Sequence, residues 1–242
     1  MNDYFLKNPI IKKHNNIYVL RDDLLEGGSK SRFLPYIIGD AKEIVFGAPV
    51  CGGAPYALSV FGKHFNRKIT LFYAQTKKLN KRQEACYDNG ANIRMVPFGY
   101  MTNVQAKARK YAEENNALFL PLGFDVEQAE KPFVSLMKNV RDNYGQFNQV
   151  WCAVGSGMLA RCLSKGFPDA EINGVVVGLK SRNEKQNYNK NVILHECNYK
   201  FQTECKYVSP FPTCNNYDRK AWEICEKESK GRVLFWNVMS NH

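Results

Sequence analysis

From Glu43 to Trp236 the chain alternates short apolar runs with stripes at helical spacing, and few folds accept that order. Glu43–Gly47 is an apolar run ending at glycine, and Ala54, Ala57, Leu58, Phe61 and Phe65 then recur every three or four residues. Lys68–Tyr73 is β-branched and aromatic, as a buried strand is. A helix over 78–89 stops at Gly90, followed by a strand over Ala91–Val96, a helix through Val104, Ala108 and Ala112, and a strand over Ala117–Leu122. The clearest amphipathic stripe comes next: Ala129, Phe133, Leu136, Met137, Val140 and Tyr144. Gln149–Val154, Ile172–Leu179, Val192–Cys197 and Arg232–Trp236 read as further strands, with helices over Gly157–Lys165 and Asp218–Lys230. Strands that alternate with helices predict parallel sheets with helices on their faces. Right-handed crossovers then put the working loops at the carboxyl ends of the strands.

Composition narrows the class. The apolar runs are too short to cross a bilayer, and Met1–Lys7 carries no secretory pattern, so an intracellular, cytoplasmic protein without a membrane partner is expected. The eight cysteines form no C-x-x-C pair, and several lie in apolar segments, where Cys acts as a small hydrophobe. His195, Cys197, Cys205 and Cys214 could be drawn as a zinc site, but their spacing is irregular; reduced structural thiols and no metal are expected. The net charge of +11 bunches at Lys77–Arg82 and between Lys180 and Lys190. Such runs are solvated surface or a footprint for a polyanion such as nucleic acid, and neither is interleaved with aromatics.

Three glycine-containing loops carry the candidate chemistry. In Gly27-Gly28-Ser29-Lys30, a flexible turn delivers one lysine to a helix start. There burial and the helix N-terminus would favour the neutral, nucleophilic amine; the alternative is a plain cap with Lys30 in water. Gly155-Ser156-Gly157 lies between a strand and a helix, where free backbone N–H groups cradle phosphate, or it is a tight packed turn. It is neither a Walker loop nor a full dinucleotide fingerprint. Cys51-Gly52-Gly53 again joins a strand end to a helix start and leaves room for close approach to the backbone.

Taken together, Arg21-Asp22-Asp23, Gly27–Leu34, the Gly90-Ala91 turn, Val154–Gly157 and Tyr217-Asp218-Arg219-Lys220 resemble, in order, the motifs of the aminocyclopropane-carboxylate deaminase and D-cysteine desulfhydrase family. These are pyridoxal 5′-phosphate (PLP) enzymes of fold type II, the tryptophan-synthase β-like group. The resemblance implies an α/β fold of two parallel-sheet, three-layer domains: residues 1–38 with 127–242 forming the larger PLP-binding domain, and 39–126 a smaller inserted one. It implies that Lys30 holds PLP covalently and shuttles the α-proton, while Gly155, Ser156 and Gly157 hold its phosphate. Asp218, in the place of the family's glutamate, would meet the pyridine nitrogen, with Tyr217 near the ring as a stacking partner or acid–base group. PLP would lie in the cleft between the two domains.

The departures concern the substrate side. Gly52 and Gly53 align with the family's Ser-Asn, and Cys51, one residue away, is a candidate replacement; these three are the expected substrate-binding residues. Met158-Leu159 stands where the family has Gly-Thr, and Arg161 could supply charge instead. Asn237–Ser240 replaces His-x-Gly-Gly, and the chain is shorter than typical members, with most of the loss expected between Leu179 and Pro210. The reading implied is a PLP-dependent lyase, deaminase or decarboxylase that labilises a Cα bond of an amino acid, expected as a homodimer. Alternatives are PLP chemistry on an amino acid carried by nucleic acid or another anionic macromolecule, a non-catalytic PLP-binding protein, and a phosphosugar- or nucleotide-binding α/β protein.

Overall fold

A computed structural model describes residues 8–97, 99–178 and 187–241. Met1–Lys7, Leu179 and most of the second basic run lie outside the described residues. The chain forms two compact units, residues 1–29 with 130–241 and residues 30–129. The sequence boundary at 38 keeps Lys30–Ile38 with the larger unit, whereas the structure groups them with the smaller one. There Phe33, fully buried, sets its ring edge-on to Phe124 at 6.2 Å between centroids.

The first unit carries a six-stranded sheet among the described residues. Its strands are β1 (Ile11–His14), β2 (Ile17–Arg21), β7 (Gln149–Val154), β8 (Glu171–Val176), β9 (Val192–Glu196) and β10 (Val233–Asn237), in the order β1-β2-β10-β7-β8-β9. All neighbours pair in parallel except β1, which pairs antiparallel with β2. Sequence reading overlooked β1, because Lys12, Lys13 and half-exposed neighbours give an edge strand little apolar signal. Helices α5 (Glu130–Tyr144), α6 (Met158–Gly166) and α7 (Asp218–Glu228) complete the unit.

Both faces of this sheet are buried. Trp151, Ala153, Val175 and Phe235 pack with Ala221, Trp222 and Cys225 of α7, and Trp222 meets Phe211 and Phe235 edge-on. Val150, Cys152 and Val154 alternate to the other face and are as fully buried. The predicted α5 stripe buries Phe133, Met137 and Val140. Gly166 of α6 lets it close on Met137, whose Sδ would lie 2.3 Å from a Cβ at that position.

The second unit is a four-stranded parallel sheet in the order β5 (Asn92–Val96), β4 (Lys68–Ala74), β3 (Glu43–Gly47), β6 (Leu118–Leu120). Val45, Phe72 and Val96 pack on Val104, Ala108 and Ala112 of α4 (Met101–Glu114), while Ile44, Phe46 and Leu71 are buried on the opposite face. Helices α1 (Leu34–Ile38), α2 (Ala54–Phe65) and α3 (Lys81–Asp88) belong to it. The last starts later than the sequence suggests, because Asn80 caps it: its side chain accepts from Arg82 N and Gln83 N, and Gln83 reciprocates to Asn80 N.

Candidate active site

In the first unit Gly155, Ser156 and Gly157 follow β7, and Tyr217 and Asp218 come at the end of the segment after β9. After β7 the chain turns through Gly155, Ser156 and Gly157 into α6. Gly157 is the N-cap with φ of 89°, a conformation that strains any side chain, and no side chain caps the helix. A Cβ on Gly155 would lie 2.8 Å from Tyr217 Oη, and one on Gly178, after β8, 2.9 Å from Gly155 O. Glycine is therefore required at two contacting turns, and backbone N–H groups rather than side chains face outward from the start of α6. Arg161 directs its backbone N–H to Gly157 O at 3.1 Å as the helix begins.

Tyr217 and Asp218 open α7, and the loop before them is held from several directions. Cys214 N donates to Met239 O at 3.0 Å, Cys205 N to Asn215 O at 2.8 Å, and Asn237 Nδ2 to Pro212 O at 2.9 Å. Lys220 is fully buried and gives its ammonium to Lys200 O and Phe201 O, at 2.9 and 3.1 Å; burial lowers its pKa. Asp218 is fully buried, and its Oδ1 accepts from Val238 N at 3.2 Å. As the first residue of α7 it gains from the helix dipole as a carboxylate. Burial first, then the Asp218 charge, push the Tyr217 phenol far above its ordinary range, so Tyr217 is a neutral hydrogen-bonding group beside Gly155. The same two causes raise the Cys152 thiol, which is thereby inert.

A second polar set closes this end of the sheet. Arg21 pairs with Asp23 through Nε and Nη2, both at 2.7 Å, and Asn237 Nδ2 donates to Asp23 Oδ1 at 2.7 Å. Ser29 Oγ donates to Asp22 Oδ2 at 2.7 Å and accepts from Trp236 Nε1 at 2.9 Å. Sequence reasoning quoted Arg21-Asp22-Asp23 and Asn237 only as motif positions and Trp236 only as the end of a strand. The available signal was a tryptophan at the end of an apolar strand, whose N–H needs a partner when buried.

Lys30 lies inside a 3-10 turn, Gly28–Arg32, and not at the N-terminus of an α-helix as the sequence suggested. Gly27 and Gly28 both have positive φ, so the turn tightens before a helix can begin. In the second unit, Cys51-Gly52-Gly53 follows β3 and leads into α2, with Gly53 as N-cap. The start of this loop is held by the N-terminus of α3: Asn80 Nδ2 donates to Val50 O at 3.1 Å and Arg82 Nη1 to Cys51 O at 2.6 Å. Lys77, Lys78 and Lys81 of the basic run are exposed alongside that anchor. The zinc candidates do not assemble, since no group of three or more His, Cys, Asp or Glu among the described residues could hold a metal ion.

The first unit thus offers a glycine cradle open to an anion and, through Tyr217, a buried carboxylate near it. Those features suit the phosphate and the ring nitrogen of PLP. The chain belongs to the family of pyridoxal-phosphate dependent enzymes, whose model matches residues 6–196, and PLP is its cofactor. Its fold is that of the fold-type II PLP enzymes.

Particular relatives agree. A Thermotoga maritima protein provisionally named a 1-aminocyclopropane-1-carboxylate deaminase is 29% identical over 201 residues, covering 76% of this chain and 64% of the relative. The chain therefore spans less than two thirds of that protein's length. A crystal structure of an ACC deaminase homologue superposes with TM-score 0.82 at 17% identity, over 96% of this chain and 89% of the other. A hydrogen sulfide-producing enzyme of Fusobacterium nucleatum gives 0.73 at 14%, over 100% and 97%. The processed threonine deaminase isoform 2 of Solanum lycopersicum gives 0.71 at 14%, over 93% and 75%. Among the described residues no helix is long and apolar enough to cross a membrane.

Proposed function

We propose that the protein is a PLP-dependent enzyme that labilises a Cα bond of an amino-acid substrate, of the lyase or deaminase type. The observation that carries this reading is Asp218: a fully buried carboxylate at a helix start, positioned by the Val238 backbone and adjoining the glycine turn through Tyr217. When bound, PLP supplies an electron sink for the electron pair of the broken bond. Gly155, Ser156 and Gly157 bind its phosphate through backbone N–H groups. Asp218 holds a proton on the ring nitrogen. Lys30 carries the cofactor and moves the α-proton, and neutral Tyr217 donates a hydrogen bond. Cys51, Gly52 and Gly53 meet the substrate. All eight cysteines are free thiols, which suits a reducing, cytoplasmic setting; a homodimeric state is part of the proposal. The test is the visible absorbance of the purified protein, followed by borohydride reduction and peptide mapping: reduction should leave the cofactor on Lys30.

A second reading concerns the substrate. Glycines at 52 and 53 remove side chains that would grip a small amino acid, and the Lys77–Arg82 run is fastened to that loop through Asn80 and Arg82. This favours an amino acid bearing a phosphate, nucleotide or nucleic-acid appendage, which brings binding energy from remote groups.

A further inference from the structure

Asp22 and Trp236 have no part in the site as proposed, yet both are fully buried. A carboxylate withdrawn from water is tolerated only where donors surround it. Asp22 Oδ2 accepts from Ser29 Oγ at 2.7 Å and from Trp236 Nε1 at 3.2 Å, while the same indole N–H lies 2.9 Å from Ser29 Oγ. An ionised carboxylate only accepts, so the hydroxyl proton of Ser29 must point to Asp22, which leaves its oxygen lone pairs for Trp236. The hydroxyl has one arrangement.

The backbone of this segment is held as well. Ser29 N donates to Val238 O at 2.9 Å, and a Cβ on Gly28 would fall 2.4 Å from the same oxygen. Ser29 is thus anchored by side chain and main chain to the ends of β2 and β10, and the next residue in the chain is Lys30.

We propose that Asp22 is a positioning residue for the cofactor lysine. Through Ser29 and Trp236 it sets the point from which the chain continues into Lys30, and Val238, whose carbonyl holds Ser29 N, is also the residue whose N–H holds Asp218. The inference rests on Lys30 as the lysine that carries PLP.

The test uses the full-length, PLP-loaded protein with Asp22→Asn, Ser29→Ala and Trp236→Phe, and Trp222→Phe as a control in the apolar core. Three quantities are read: the lysine labelled by borohydride, the PLP dissociation constant, and the pH midpoint of the visible absorbance. Asp22→Asn and Ser29→Ala should weaken PLP binding about tenfold, the scale of one charge-assisted hydrogen bond, and move the pH midpoint by about one unit. Trp222→Phe should lower the melting temperature and leave the midpoint in place, as a purely structural effect would. Label on another lysine in the unmodified protein overturns the site reading itself. Label on Lys30, with unchanged midpoint and PLP affinity in Asp22→Asn and Ser29→Ala, overturns the positioning role and leaves the site reading standing. Should Asp22→Asn fail to fold, Ser29→Ala decides alone.

Discussion

Ser29 and Asp218 are joined through a single residue: Val238 O accepts from Ser29 N at 2.9 Å, and Val238 N donates to Asp218 Oδ1 at 3.2 Å. The residue before the proposed cofactor lysine and the proposed partner of the pyridine nitrogen are therefore referenced to one backbone position. They come from segments nearly two hundred residues apart, because β10 inserts between β2 and β7.

Lys30→Ala should remove the visible absorbance of the protein-bound cofactor. Borohydride should label a Lys30-containing peptide in the unmodified protein and nothing in the variant. Retained label on a different lysine would end the assignment.

Asp218→Asn should still bind PLP, because the glycine turn proposed to meet the phosphate is untouched. Turnover should fall by roughly 10²–10³, the range for losing one preorganised electrostatic contact. Steady-state rates against a PLP titration separate the two effects; equal rates would refute the role.

At Gly155 a methyl group would press on Tyr217 Oη, 2.8 Å away. Gly155→Ala should therefore weaken PLP binding, and adding Tyr217→Phe should restore part of the loss. A double-mutant cycle on PLP affinity should show coupling of about 1 kcal/mol, as contacting residues do. Strict additivity would mean that the turn relaxes by another route.

Reversing charge at Lys77 and Lys78 should raise KM for an amino acid bearing a phosphate several-fold while sparing kcat. The same KM should rise between about 50 and about 200 mM salt in the unmodified protein, as contacts to anions weaken. Efficient, salt-insensitive turnover of free aminocyclopropane-carboxylate or free D-cysteine is the outcome that rejects the appended-substrate reading.

Stability offers a check on packing in the smaller unit. A Cβ on Gly62 of α2 would lie 2.4 Å from Ile69 Cγ1 and 2.8 Å from the Arg67 carbonyl oxygen, which is backbone and yields little. Overpacking of this kind costs about 1–3 kcal/mol, more than the roughly 0.5–1 kcal/mol that alanine contributes over glycine within a helix. Gly62→Ala should lower the urea midpoint at constant slope, and Ile69→Val should recover part of it.

What was legible in the sequence is what local periodicity and turn chemistry encode. The strand Gln149–Val154 and the stripe Phe133, Met137, Val140 repeat their patterns over enough residues to declare themselves. Gly155-Ser156-Gly157 and Tyr217-Asp218 sit at element junctions, where few residue types fit. Only the tertiary structure decided what those local signals leave open. Strand order is one such matter: nothing near Val233–Asn237 says that it lies between β2 and β7. The anchoring of Ser29 is another, since Asp22, Trp236 and Val238 become its partners only when the sheet is assembled. The 3-10 turn at Lys30 follows from that anchoring, with Gly27 and Gly28 supplying the positive φ that an α-helix start would not need. Periodicity is a property of neighbours in the chain, whereas a buried carboxylate is stable only through donors brought from far along it.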